Sequence, residues 1–364
     1  MFSLNYISCF VLKTTKTILN IYTTKSRLHL SPHSCAVALY KMSKLKLYIT
    51  RPDVPEKAIA LLKENRFEVA MWTGSGPVPR EDLLRGVRGC DALYCFLTDR
   101  IDQEVLDCAG ESLRVVGTMS VGHDHVDVPV LKQRGVLLGI TPDVLTDAVA
   151  DLTLALLLAT SRRLFEANRQ ITEGKWTAWA PFWMCGPGLK ASTAGIVGFG
   201  RIGQEVARRL RPFKVAALLY SGRSDKPEAG ELGATRVPLG DLLERSDFVI
   251  VTCALTPDTR EMFNDALFSK MKRSAVFINV SRGGVVDQAA LLRALQGGVI
   301  LAAGLDVTTP EPLPPSHPLC SLPNCVLLPH IGSATHQART DMAVLTARNI
   351  LAAVEGRPLP APAF

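Results

Sequence analysis

From residue 45 onward, apolar and polar positions fall into short blocks separated by turn residues. LKLYIT, Leu45 to Thr50, has the period of two expected of a strand, and Val54 to Asn65, after Pro52, has helical spacing. Phe67 to Trp72 reads as a second strand, followed by a Gly/Pro loop. Asp82 to Val87 reads as a helix, Ala92 to Leu97 as a strand buried on both faces, and Gln103 to Ala109 as a helix. Arg114 to Thr118 and Val136 to Gly139 supply two further strands. Strands alternating with helices predict a parallel sheet covered on both sides.

Val144 to Glu173 follows as one long helical pattern, strongly apolar at its start and polar at its end. Its most apolar stretch, LTLALLLAT (Leu152 to Thr160), is too short to cross a membrane and runs on into charged helix, so no membrane partner is expected. WTAWAPFWMCGPGL, Trp176 to Leu189, has no period, is broken by Pro and Gly, and holds three of the four tryptophans. It reads as a loop carrying anchors. A second strand–helix series then runs from Gly195 to about His330. Its strands are expected near Ile196 and over Val215 to Tyr220, Phe248 to Thr252, Ala275 to Asn279, Leu301 to Leu305 and Val326 to Leu328. Ser333 to Glu355 is a second long helix, stopped by Gly356 and Pro358, that can return to the first series and close it. The fold class expected is α/β with two doubly wound parallel-sheet domains.

Charge changes the picture only at the start of the chain. The net charge is +7, but residues 1 to 46 hold seven cations (Lys13, Lys16, Lys25, Arg27, Lys41, Lys44, Lys46) and no acid. Removing these from the 41 basic residues leaves 34 against 34 acidic ones. The body has no surplus with which to hold a nucleic acid. The leader is Ser/Thr-rich, free of acids and mildly apolar, the composition of an organelle transit peptide; the alternative is an extended start ahead of Met42. Nine scattered cysteines without a CxxC pair or zinc spacing read as reduced thiols of a cytosolic or matrix compartment. The expected location is cytoplasmic, or mitochondrial if the leader is a transit peptide.

The chemistry starts at ASTAGIVGFGRIG, Ala191 to Gly203. A short apolar run leads into Gly198-x-Gly200-x-x-Gly203 and then into the helical pattern QEVARRL. That context turns a weak glycine pattern into a dinucleotide site: a tight turn, a close approach to pyrophosphate, and close helix–strand packing. At the end of the next strand, where NAD sites place an acid, stands LLYSGRSDK, with Ser221 in that place and Arg223 just beyond. A missing carboxylate and an added arginine favour a ribose 2′-phosphate, so NADP(H) is expected, with NAD(H) bound more weakly; Asp225 nearby blunts this. FINVSRGGVVD (Phe277 to Asp287) delivers Arg282 at a strand end, suited to a carboxylate or ketone. GLDVTTPEPLP (Gly304 to Pro314) and LLPHIGSAT (Leu327 to Thr335) bring Glu311 and His330 to two more strand ends. A histidine titrating near neutral pH is a natural acid or base for a carbonyl/alcohol pair.

The ordered set GFGRIG, SDFVIVTCALTPDT, MKRSAVFINVSRGGVVDQAALLRAL, GLDVTTPEP and PHIGSAT resembles the D-isomer-specific 2-hydroxyacid dehydrogenase family, from about Leu47 to Arg357. TMSVGHDHVD, TPDVLTDAVADLTLALLLATSRRL and GKWTAWAPFWMCGPGL are similar to its branch acting on glyoxylate and hydroxypyruvate. The resemblance implies a Rossmann-type nucleotide domain inserted in a flavodoxin-like substrate domain. The leader would then occupy 1–46, the substrate domain 47–143 and 331–364, and the nucleotide domain 144–330, with its connecting helix and a dimerisation loop. It further implies NADPH-dependent reduction of glyoxylate to glycolate and of hydroxypyruvate to D-glycerate. His330 is the implied general acid, Glu311 its partner, and Arg282 the group that binds the carboxylate and polarises the ketone. Val121 and Gly122 are to present backbone N–H groups to that carboxylate, and Ser333 to line the same pocket. The cofactor is to contact Gly198, Gly200, Arg201, Ile202, Gly203, Ser221, Gly222, Arg223, Ser224, Ala254, Val280, Asp306 and Gly332. Trp179 matches a tryptophan that reaches the partner's pocket in a homodimer.

Two features depart from the family pattern. Thr252 and Ala254 stand where many relatives carry His and Pro, and His123 opens a loop that is usually apolar there. His123 and His125 read as structural, since no ligand-spaced partner accompanies them. Two alternatives stay open: a relative acting on another D-2-hydroxyacid such as 3-phosphoglycerate, and a corepressor scaffold of the C-terminal-binding type.

Overall fold

The computed structural model describes residues 44–65 and 67–364; the leader, with its transit-peptide reading, lies outside the described residues apart from its last three. β1 (Leu45–Ile49) starts at Leu45, where the sequence places its first strand, and pairs at Leu45 and Lys46 with Phe67 and Glu68. With β2 (Phe67–Met71), β3 (Ala92–Cys95), β4 (Val115–Thr118) and β5 (Leu137–Gly139) it builds a five-stranded parallel sheet, order β2-β1-β3-β4-β5. This is the flavodoxin-like order. Its strands β3 and β4 are buried on both faces, which is why their sequences run apolar instead of alternating, whereas the edge strand β2 alternates between buried and more exposed positions.

The second sheet contains β6 (Thr193–Val197), β7 (Ala217–Ser221), β8 (Ala234–Arg236), β9 (Phe248–Val251), β10 (Val276–Asn279), β11 (Ala302–Leu305) and β12 (Cys325–Leu327). Its order, β12-β11-β10-β9-β6-β7-β8, reverses direction between β9 and β6, and this is the doubly wound dinucleotide-binding topology. FVIV and VFIN, the two strands at its centre, are wholly buried. The edge strand β8 has no counterpart among the strands expected from sequence; three residues, one of them buried to any extent, leave no period to read.

The helix expected over Val144 to Glu173 is two helices, Thr146–Ser161 and Leu164–Thr172, turned at Arg163, whose φ is 54°. Gly186, from the returning loop, packs onto the Ser161 carbonyl so closely that a Cβ there would lie 1.9 Å from the oxygen. That carbonyl would have accepted the next helical bond. Arg163 is then fixed by a two-pronged pair with Glu166, at 2.9 and 2.7 Å. The first helix packs against Arg201–Leu210, and Arg209 of the latter reaches Asp147, Asp151 and Glu205 at 2.6 Å each.

The last helix, His336–Val354, lies on the five-stranded sheet. Gly117 of β4 admits it: a Cβ there would be 2.8 Å from Ile350 Cγ1 and 3.0 Å from Thr346 Cγ2. Buried Asn349 donates to the Ile140 carbonyl and accepts from Ala361 N, both at 2.9 Å. The tail then runs antiparallel to the end of β5, with Ile140 N bonded to Ala361 O and Ala363 N to Leu138 O. Among the described residues no helix is long and apolar enough to cross a membrane.

Candidate active site

The glycine turn after β6 has the three geometries its spacing predicts. Gly198 sits at φ 93°, and a Cβ there would strike the Cys253 backbone at 2.6 Å. Gly203 touches the Gly198 carbonyl, 2.4 Å from an added Cβ, which brings the helix down onto the strand. Gly200 faces open space and precedes the helix Arg201–Leu210, whose first N–H groups and dipole point into that space. Thr252 donates to Gly198 O at 2.5 Å and braces the turn. Arg201 pairs with Asp143 at 2.6 Å.

His330 follows β12 in the left-handed region, φ 54°, a costly conformation for a residue with a side chain. Asp306, at the end of β11, holds it there. The Asp306 carbonyl accepts from His330 N, and its two carboxylate oxygens accept from Ile331 N and Gly332 N, all at 2.8 Å. Asp306 is 2% exposed, and burial pushes its carboxyl up from the ordinary value. His330 Nδ1 lies 2.8 Å from Glu311 Oε2, while Glu311 Oε1 accepts from Thr308 N at 3.0 Å. Burial pushes Glu311 up, but the bond and charge of His330 outweigh it, and its pKa lies below the usual carboxylate value. The ring therefore presents Nε2, which makes no bond within the described chain.

Arg282 crosses between the two sheets. Its Nε donates to Asp124 Oδ1 at 2.9 Å, and Asn279 Nδ2 holds its carbonyl at 3.0 Å. The guanidinium packs its Nη2 end against Gly122, where a Cβ would be only 2.0 Å from Nη2. Burial raises the Asp124 carboxyl, but the charge of Arg282 prevails and holds it below its ordinary value. The Val121 and Gly122 N–H groups make no bond within the described chain. Their loop is fixed from below, Ser120 Oγ donating to Gly122 O at 2.8 Å and Thr118 Oγ1 meeting His125 Nε2 at 3.0 Å. A cleft of about 1050 Å³ separates the sheets, lined by Val121, Gly122, His123, Ile202, Ala254, Val280 and Arg282.

At the far end of the turn, Ser221 closes β7, and Gly222, Arg223 and Ser224 are exposed. No carboxylate stands at Ser221. Asp225 is engaged by Arg236 at 3.3 Å.

A family model described as D-isomer specific 2-hydroxyacid dehydrogenase, NAD binding domain, matches residues 154–332. The glyoxylate reductase/hydroxypyruvate reductase of Mus musculus is 52% identical over 317 residues, 87% of this chain and 97% of the mouse protein. This chain belongs to the D-isomer-specific 2-hydroxyacid dehydrogenase family. The TT0316 protein of Thermus thermophilus superposes with TM-score 0.82 at 43% identity, over 88% of this chain and all of that one. The NADPH-dependent glyoxylate/hydroxypyruvate reductase of Sinorhizobium meliloti, solved with NADP and malonate, gives 0.76 at 33%, over 88% and 97%.

In this 2-hydroxyacid dehydrogenase the glycine turn, open at Gly200 and headed by a helix N-terminus, fits a nicotinamide dinucleotide. The structure brings His330, Glu311, Asp306 and Gly332 together at the ends of β11 and β12, and Arg282, Val121 and Gly122 together across the cleft. Ser333 follows the histidine turn, its carbonyl accepting from Thr335 N at 2.8 Å. Trp179 stands apart from this chain's cleft, 78% exposed, in a loop whose Phe182 is 90% exposed and whose Trp176 and Trp183 stack at 6.4 Å. His125 is structural in its contacts: burial holds its pKa down to about 4, so it is a neutral link to Thr118. Asp124 and Asn279, which orient Arg282, carried no signal in the sequence; the first lies 158 positions from its partner.

Proposed function

We propose that this dehydrogenase reduces glyoxylate to glycolate and hydroxypyruvate to D-glycerate with NADPH, using NADH more weakly. The observation that carries the reading is the His330–Glu311 pair at 2.8 Å, within reach of the charge of Arg282, which lines the cleft. When bound, the dinucleotide supplies the hydride. Arg282 binds the carboxylate of the 2-oxo acid and polarises the C2 carbonyl, and the Val121 and Gly122 N–H groups take the remaining carboxylate lone pairs. His330 Nε2 gives its proton to the carbonyl oxygen as C2 receives the hydride, so carbonyl, hydride and proton become the alcohol. Glu311 accepts from Nδ1 and fixes the ring so that Nε2 is the atom free to pass the proton.

NADPH is favoured by Ser221, which offers no negative charge to a 2′-phosphate, and by Arg223, which makes no ion pair within the described chain. The mouse and Sinorhizobium relatives bear names that agree with this substrate class. The exposed aromatic loop supports a homodimer in which Trp179 reaches the partner's pocket. Absorbance at the nicotinamide band, with NADPH or NADH and glyoxylate, hydroxypyruvate or 3-phosphohydroxypyruvate, tests the reading. Fast NADPH oxidation with the first two is expected. Turnover with the phosphorylated acid alone, or tight cofactor binding without turnover, refutes it.

A further inference from the structure

We propose that Arg236, from the edge strand β8, is the second half of the site that takes the ribose 2′-phosphate of NADP(H), working beside Arg223. This rests on the NADPH reading above and extends it to a residue outside the glycine-turn strands. In the β7–β8 ladder Arg236 lies abreast of Tyr220, one residue before Ser221, where the ribose is to bind. Its Nη2 donates to Gly222 O at 2.9 Å and its Nη1 to Asp225 Oδ1 at 3.3 Å.

These two bonds remove two obstacles to a phosphate. Asp225 is the only acid between Ser221 and Lys226, and its carboxylate would repel a group with nearly two negative charges. Held by Arg236, it has part of its charge offset in place. The Gly222 carbonyl is turned to the arginine as well, so its lone pairs are not offered to the incoming dianion. A guanidinium has five donor hydrogens in a planar fork, of which these bonds use two. The rest are available to phosphate oxygens. From Ser221 to Lys226 the chain has Arg223 and Lys226 against the one carboxylate of Asp225, and Arg236 adds a third cation from β8.

Stability does not account for the pair. Asp225 is 83% and Arg236 39% exposed, and exposed ion pairs add little to folding.

The test is dissociation constants for NADPH and NADH, read from nicotinamide fluorescence on the full chain, for wild type, Arg236→Gln, Asp225→Asn and the double variant. Arg236→Gln is expected to weaken NADPH about tenfold and NADH by less than about twofold, the loss of one charge-assisted contact. Adding Asp225→Asn recovers part of that loss, since a freed carboxylate is part of the harm. Asp225→Asn alone tightens NADPH about two- to threefold without moving NADH. Equal effects on both cofactors in Arg236→Gln, or none, overturn the proposal, as does Asp225→Asn leaving NADPH unmoved. A wild type that binds both cofactors equally defeats the NADPH reading itself, and this proposal with it.

Discussion

Gly122→Ala is the most incisive perturbation of the cleft, because it moves one catalytic group and nothing else of consequence. The added Cβ would lie 2.0 Å from Arg282 Nη2 and 2.7 Å from Cζ. Ordinary contact begins near 3.4 Å, so the guanidinium must retreat by at least about 1.4 Å. It is the far end of a flexible side chain, and Gly122 has no left-handed φ, so the fold tolerates the methyl group. The Gly122 N–H is kept. What is lost is register: a misplacement of about 1 Å in a positioning group costs on the order of 100-fold, or about 2.7 kcal/mol of transition-state stabilisation. Steady-state oxidation of NADPH by glyoxylate should show kcat/KM down about 100-fold, with the melting temperature shifted by less than about 2 °C. NADPH binding should be near normal. Gly122→Ala with unchanged kcat and KM would refute the placement of Arg282 against this loop. Arg282→Lys in the Gly122→Ala background checks the steric cause, since the thinner side chain should lose little more when the methyl group is added.

His330→Ala should cost about 10²- to 10⁴-fold in kcat while NADPH still binds, and near-normal turnover would remove His330 as the acid. Arg223→Asp should weaken NADPH far more than NADH; equal losses would sink the 2′-phosphate reading. Gly200→Ala, entering open space, should lower dinucleotide affinity without loss of stability, whereas Gly203→Ala, driven against the Gly198 carbonyl, should lower the melting temperature. His125 makes stability depend on pH in one direction. Its folded value of about 4 lies below the ordinary 6.5, so only the unfolded chain gains the proton as pH falls between those values. Urea unfolding should show up to about 2 kcal/mol lost between pH 6.5 and pH 5 on this account, a slope that His125→Gln reduces.

The features legible in sequence were those written in consecutive residues. Gly198, Gly200 and Gly203 each report a local backbone requirement, and the apolar runs FVIV and VFIN report burial on both faces. The histidine, glutamate and arginine declared themselves by ending strands of a recognisable series. What could not be read depends on contacts between distant segments. Nothing near Arg163 in the sequence breaks a helix; Gly186, which packs onto the Ser161 carbonyl there, lies 25 positions away. Asp124 looks like one acid between two histidines until Arg282 arrives from another sheet. β8 is too short to carry a period, so Arg236 was an unplaced cation and Asp225 a doubt about NADPH with no resolution.

The bond from Asn349 to the Ile140 carbonyl spans 209 positions, and this has a consequence for biosynthesis. The five-stranded sheet leaves the ribosome first, yet the helix that covers one of its faces, and the tail that borders β5, leave last. At about 5–20 residues per second the interval is roughly ten to forty seconds. Through that interval the faces of Gly117 and Gly139 meant for Ile350, Thr346 and Asn349 have no cover. The intervening seven-stranded unit has no such debt to later sequence, since its strands all lie between Thr193 and Leu327. A nascent chain thus carries a finished nucleotide fold beside an open apolar sheet, a natural client for a chaperone. A stop codon ahead of residue 336 would leave that sheet open permanently.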